Sequence, residues 1–243
     1  MIRYSFKIFC VAFSACFCCA GSLLAEDNNP HTDKMMNEKL NLTQEWDKVF
    51  PKSDKVTHRK VSFRNRYGIM LAADLYMPRN VNEKLPAIAV SGPFGAVKEQ
   101  SAGLYAQTMA ERGFLTIAFD PSYTGESGGF PRYVASPDIN TEDFCAAVDY
   151  LSTRDDVDSE RIGIIGICGW GGMAVNAAAI DARIKATVTS TMYDMSRVNA
   201  NGYFDAMDAD ARYELRKQLN AQRTADAKSG SYALAGGVPD PLS

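Results

Sequence analysis

Residues 56–63 and 69–77 each alternate apolar and polar positions, the second through Ile69, Leu71, Ala73, Leu75 and Met77. Five polar residues, 64–68, separate them, so the two segments are predicted to pair as an antiparallel hairpin. The pattern then changes. Residues 85–90, 114–119, 161–165 and 184–188 are short continuous apolar runs, as expected for strands buried on both faces. Between them lie segments of helical periodicity. Residues 101–112 are closed by Gly113. Residues 141–152 put Phe144, Ala147, Val148 and Leu151 on one face behind Asn140 as a cap. Residues 171–180 are rich in alanine. Buried strands alternating with helices predict an α/β fold, a mostly parallel sheet wrapped by helices and preceded by the hairpin. Beyond Met192 the alternation stops. Residues 205–228 read as a polar, weakly amphipathic helix, and no buried strand follows as far as Ser243. The division is a leader (1–25), a polar surface arm (26–55), the α/β core (56–200), and a partial cap helix with its tail (201–243).

The leader has its own pattern. Arg3 and Lys7 precede an apolar stretch over 8–25, and Glu26 and Asp27 follow it. That order predicts a secretory signal peptide cleaved after Ala25, and so export to the bacterial periplasm or cell envelope. Two alternatives stay open. Phe13-Ser14-Ala15-Cys16 resembles a lipobox, in which case a lipid on Cys16 would bring the chain to a membrane. The stretch also approaches the roughly 20 residues of a spanning helix. Cys10, Cys16, Cys18 and Cys19 lie in this segment, leaving Cys145 and Cys168, too few for a disulfide framework. With 46% hydrophobic and 23% charged residues, 18 Gly and 10 Pro, disordered and collagen-like classes are excluded. A net charge of −3 supplies no field for nucleic acid, so no nucleic-acid partner is expected.

The informative chemistry lies between the third buried run and the alanine-rich helix. Residues 161–173 read Arg-Ile-Gly-Ile-Ile-Gly-Ile-Cys-Gly-Trp-Gly-Gly-Met: a strand, a glycine-dense turn and a helix start. A nucleophile on such a turn takes a strained backbone that small neighbours must accommodate. Gly166, Gly169, Gly171 and Gly172 supply that clearance around Cys168. The helix N-terminus offers unpaired N–H groups and a positive dipole end, an environment that favours a thiolate. Cys145, on the apolar side of its helix, reads as core, and Ser122 and Ser127 as loop hydrogen-bonding residues.

The segment Gly166-Ile-Cys168-Gly-Trp-Gly-Gly172 resembles the nucleophile elbow of the α/β-hydrolase fold, most closely in its dienelactone-hydrolase-like and X-Pro-peptidase-like bacterial branch. Residues 156–163 look like the usual lead-in to the elbow strand, residues 119–129 like the loop after the fourth strand, and Ser91-Gly-Pro-Phe-Gly95 like the oxyanion loop. The resemblance covers about residues 56–200. It departs in placing Trp170 where a small residue is usual and cysteine where serine is common. It implies an acyl hydrolase, exported if the leader reading holds, acting on an ester or dienelactone-type small molecule, with Cys168 as nucleophile. The backbone N–H groups of Gly169 and of Phe94 or Gly95 would be the oxyanion donors, Phe94 also serving as a possible wall of the acyl pocket, and no metal or cofactor is implied.

The same resemblance implies an acid and then a histidine after the nucleophile. No histidine follows Cys168. His31 lies in the arm and His58 on the first strand, on the far side of such a sheet. Asp194 is the one carboxylate near a position that some relatives use for the acid. The last two strands have no counterpart. The sequence therefore reads as a C-terminally truncated member, either a hydrolase incomplete as given or a non-catalytic remnant with at most ligand binding. A thiol redox protein is disfavoured, since no Cys-x-x-Cys pair is present.

Overall fold

The computed structural model describes residues 39–235. The predicted leader, its four cysteines and His31 lie outside the described residues. The hairpin forms as strands β1 (Val56–Arg64) and β2 (Met70–Pro78), antiparallel from Val56 opposite Pro78 to Arg64 opposite Met70. The continuous apolar runs become β3 (Leu85–Ser91), β4 (Leu115–Phe119), β5 (Val157–Ile167) and β6 (Ile184–Ser190). The sheet order is β1-β2-β4-β3-β5-β6. β2 pairs antiparallel with β4, and β3, β4, β5 and β6 run parallel. β5, which leads to Cys168, is thus interior, between β3 and β6.

Helices cover both faces, as parallel strands buried on two sides require. On one face α1 (Ser101–Ala110) lays Ala102, Ala106 and Ala110 against Tyr76, Ile88, Val90, Ile165 and Ile167. On the other, α2 (Pro137–Ser152) and α3 (Gly169–Ile180) bring Phe144, Val148, Leu151, Met173 and Ala177 onto Leu71, Leu75, Ile117, Ile162 and Ile164. Beyond β6 come α4 (Met195–Asn201), a 3₁₀ turn (Tyr203–Asp205) and α5 (Ala209–Ser229), the last without a buried residue.

Several expectations need correcting. Helix α2 starts four residues before Thr141, because Pro137 is pre-set for a first helical turn. Asn140, expected as its cap, is buried inside the helix, where its Oδ1 accepts from the Ser136 N–H at 2.8 Å and its amide donates to Asp143 at 3.0 Å. Part of the arm is no free surface. Phe50 and Lys48 are buried, Trp46 Nε1 donates to the Phe50 carbonyl at 3.0 Å, and Val49 N donates to Glu99 O at 3.1 Å. The run 184–188 does not become a strand buried on both faces. β6 has no buried position, only half-buried and exposed ones, Val188 is 53% exposed, and among the described residues no further strand pairs with it beyond β5. Residues 231–235 form no strand, and no helix among the described residues is long and apolar enough to cross a membrane.

Candidate active site

β5 runs straight into the turn that carries Cys168. Its backbone has φ 57° and ψ −127°, a left-handed conformation for a residue with a side chain. Such a conformation costs about 1–3 kcal/mol and persists only where its surroundings over-determine it. Here they do. The Cys168 N–H donates to Ser190 O at 2.8 Å, tying the turn to the end of β6, and Gly171 N donates to Cys168 O at 3.0 Å, closing the first helical turn. The thiol is free and half-buried.

The surrounding glycines have separate reasons. A Cβ on Gly166 would collide with Trp170 O and lie 2.8 Å from the Ala174 methyl, so this residue lets helix α3 close onto its strand. At Gly169 a Cβ would fall on the edge of the Phe94 ring. Phe94 in turn meets Trp170 edge-on, with ring centroids 4.4 Å apart at 82°. The Trp170 ring, unusual for an elbow, is turned into the core, 3% exposed, so its bulk does not block the turn.

Gly169 is the first residue of α3, and the first N–H groups of a helix lack intrahelical partners. Among the described residues no acceptor takes the N–H of Gly169, Phe94 or Gly95. The Phe94–Gly169 contact brings the β3–α1 loop against the elbow. A cavity of about 400 Å³ opens there, walled by Phe94, Gly169, Met173, Val175, Met192 and Met195. Asp194 also borders it. Its carboxylate accepts from Ser196 Oγ at 2.6 Å and from Arg197 N at 2.9 Å, capping α4, and these bonds hold its pKa below the ordinary carboxylate value.

The other titratable candidates are used elsewhere. His58 Nε2 lies 2.8 Å from Asp74 Oδ1, with its ring between Trp46 and Tyr76, on β1, which three strands separate from β5. Ser122 Oγ donates to Asp143 at 2.7 Å, and Ser127 Oγ donates to the Asp120 carbonyl while accepting from Ala72 N. Both hydroxyls are buried loop fasteners. Cys145 is in the core, where burial pushes its thiol up to about 11. Three acids that approach one another, Glu99, Asp120 and Glu126, surround the Lys98 ammonium rather than an open space. That buried lysine is not legible in the sequence, because lysine carries no apolar signal and two of its three acids, Asp120 and Glu126, lie 22 and 28 residues away.

Comparison with known proteins agrees with this fold. The family model described as X-Pro dipeptidyl-peptidase (S15 family) matches residues 67–235. The uncharacterized protein PA2218 of Pseudomonas aeruginosa is 68% identical over 198 residues, covering 81% of this chain and 53% of that protein. Its crystal structure superposes with a TM-score of 0.79 over 85% of this chain and 66% of that one. The thiohydrolase aneE of Aspergillus aculeatus is 31% identical over 137 residues, 56% of this chain and 42% of that protein. The α/β hydrolase GrgF of a Penicillium species, 22% identical with a TM-score of 0.62 over 73% of this chain and 57% of that one, supports the fold. The chain spans about half the length of the curated relatives it matches. The matched region takes in the elbow, the loops after β3 and β4, and the helices behind them, and on that ground the chain belongs to the X-Pro dipeptidyl-peptidase (S15) family, built on the α/β-hydrolase fold.

Proposed function

We propose that this chain carries the nucleophile and oxyanion site of an exported acyl hydrolase, with Cys168 as the nucleophile. The observation that carries the reading is the left-handed Cys168 at the carboxyl end of an interior parallel strand, followed directly by Gly169, which lies against the Phe94 ring. Ligand sites of open α/β sheets lie outside those strand ends. The name of the relative aneE, a thiohydrolase, supports acyl hydrolysis, and the predicted leader supports export.

The chemistry follows from the residues. Cys168 Sγ attacks the acyl carbon of a small ester, and the new S–C bond pushes the carbonyl electrons onto oxygen. The N–H groups of Gly169 and of Phe94 or Gly95 receive that charge, and a well-placed donor of this kind is worth about 3 kcal/mol. Collapse breaks the C–O bond, and the leaving alkoxide takes up from water the proton that the thiol gave to water. The thioester left on Cys168 is then cleaved by water to acid and free thiol. Phe94, Met173, Met192 and Met195 offer an apolar wall for the acyl group, with flexible thioethers adapting to its shape.

A proton acceptor is the missing part. Among the described residues no imidazole reaches the elbow, and general acid–base help is worth about 10² to 10⁴ in rate. That observation favours a second reading, a ligand-binding but catalytically silent site. p-Nitrophenyl acetate separates the two. The proposed function gives a burst of one p-nitrophenolate per chain, then slow turnover, with both lost in Cys168→Ala. Equal release from the Cys168→Ala variant contradicts it, and an intact chain with no burst leaves the silent site.

A further inference from the structure

The loop that presents Phe94 and Gly95 ends in a buried cation. Lys98 is fully buried, and both its backbone and its side chain hold one carboxylate: Lys98 N donates to Asp120 Oδ1 at 2.8 Å and Nζ to Asp120 Oδ2 at 2.9 Å. Nζ also donates to Glu99 and to Glu126, each at 2.5 Å. A buried ammonium needs this many partners to offset its desolvation. Burial opposes the charge on Lys98, but Asp120, Glu126 and Glu99 outweigh it and hold its pKa above the ordinary lysine value.

Asp120 is a fixed post. It follows β4 directly, its N–H donates to Ala72 O at 3.0 Å, and it is fully buried. Its second oxygen also accepts from Glu126 N at 2.9 Å. The neighbouring Gly125, at φ 55°, passes so close that a Cβ would collide with the carboxylate. One side chain therefore gathers the loops after β3 and β4. At the other end of the β3–α1 loop, Ser91 Oγ donates to Phe119 O at 3.0 Å. Between these two fastenings lie only Gly92 to Val97, including both candidate donors.

We infer that Lys98 is a positioning residue for the oxyanion loop: its double hold on Asp120 fixes the Phe94 and Gly95 amides against the Cys168 elbow. The inference rests on the proposed acyl chemistry. It makes a distinction that a general packing role does not. Acylation of Cys168 by an ester develops an oxyanion, whereas alkylation by iodoacetamide displaces iodide at carbon and develops none. Loosening the loop should slow the first and spare the second.

The test uses the full chain as wild type, Lys98→Met, Lys98→Arg, and the charge-balanced double variant Lys98→Met with Glu126→Gln. In the Met-containing variants the burst rate constant should fall about 10- to 100-fold, the range expected when a reacting group is misplaced by about an ångström. The alkylation rate of Cys168 should stay within about twofold. Lys98→Arg, which keeps the charge, should recover part of the burst rate. Amide hydrogen exchange should quicken in residues 92–98 and not in residues 164–174. Equal slowing of acylation and alkylation, or unchanged exchange over 92–98 in a folded variant, would overturn the inference. So would failure of both Met-containing variants to fold, since Lys98 would then be a purely structural ion. A wild-type chain whose Cys168 alkylates but never acylates overturns the acyl reading first, and the inference with it.

Discussion

At the β1 end of the sheet, buried charges are ion-paired, with only Asp74 Oδ2 and Tyr76 Oη left unpartnered on β2 among the described residues; at the β6 end, apolar side chains meet solvent. The arm before β1 seats Lys48 on Asp74 at 2.8 Å and Asp47 on Lys60 of β1 at 2.5 Å, and Lys60 also meets Glu126, from the loop after β4, at 2.7 Å. Behind the hairpin loop, Asp143 accepts from Asn65, from Asn140, and from both the backbone and the hydroxyl of Ser122. At β6, by contrast, Ala186 and Val188 border an apolar groove of about 390 Å³ with Ile88, Met109, Phe114 and Ile165. The site draws its order from both ends. Phe94 and Gly95 are held from the first end through Asp120, while Cys168 is tied through Ser190 to the second.

The sharpest way to break the first end is Asp143→Ala. It strands four buried donors, each worth about 1–3 kcal/mol when left unmet. We expect a loss of about 3–5 kcal/mol in chemical denaturation. A loss below about 1 kcal/mol would show that this end is not the stable one.

A pH titration probes the same end more gently. Burial raises the Asp47 pKa, but hydrogen bonds and charge from Lys48 and Lys60 outweigh it and bring it to about 2, below the ordinary 3.8. A folded-state pKa below the unfolded one gives stability that is present above the unfolded value and lost as pH falls through the folded one. The wild type should therefore be more stable than Asp47→Asn near neutrality, and the difference should shrink as pH drops from about 4 to about 2. A difference that grows on acidification would contradict the assignment. Because Asp47 is partly exposed, salt should also weaken the effect.

The smallest change in stability, with the clearest change in behaviour, is expected at the other end. Exposed apolar edge strands invite pairing with other chains, and an edge lysine blunts them. The wild-type chain should therefore associate through β6, and Val188→Lys should raise the monomer fraction in light scattering. Its effect on unfolding free energy should be no more than about 0.5 kcal/mol. A wild-type chain already monodisperse at high concentration would show that the β6 edge is covered.

Much of this contrast is legible in the sequence where local pattern and final environment coincide. The hairpin pairing over 56–77, the runs at 85–90 and 114–119, and the glycines around Cys168 are each written locally. The alternation at 69–77, by contrast, hides that β2 is buried at Asp74 and Tyr76 as well as at its apolar positions. β6 is misread because Ile184, Ala186 and Val188 announce only an apolar composition; whether they are buried depends on elements elsewhere. The lysine cluster is missed for the opposite reason. Lys48, Lys60 and Lys98 look like surface residues, and their burial depends on acids such as Glu126, 66 residues from Lys60 in sequence. Asn140 misleads because a cap residue and a buried amide one turn inside a helix share the same local signal.

The central claim is that Cys168 is the nucleophile, and peptide mapping after iodoacetamide treatment of the folded chain tests it most directly. Thiolate fraction and access control alkylation, and Cys145 is buried with its thiol pushed up to about 11. We expect label on the peptide containing Cys168 well before any on Cys145 at pH 8, and prior treatment with p-nitrophenyl acetate should protect Cys168. Faster labelling of Cys145, or an unreactive Cys168 in a well-folded sample, would contradict the account.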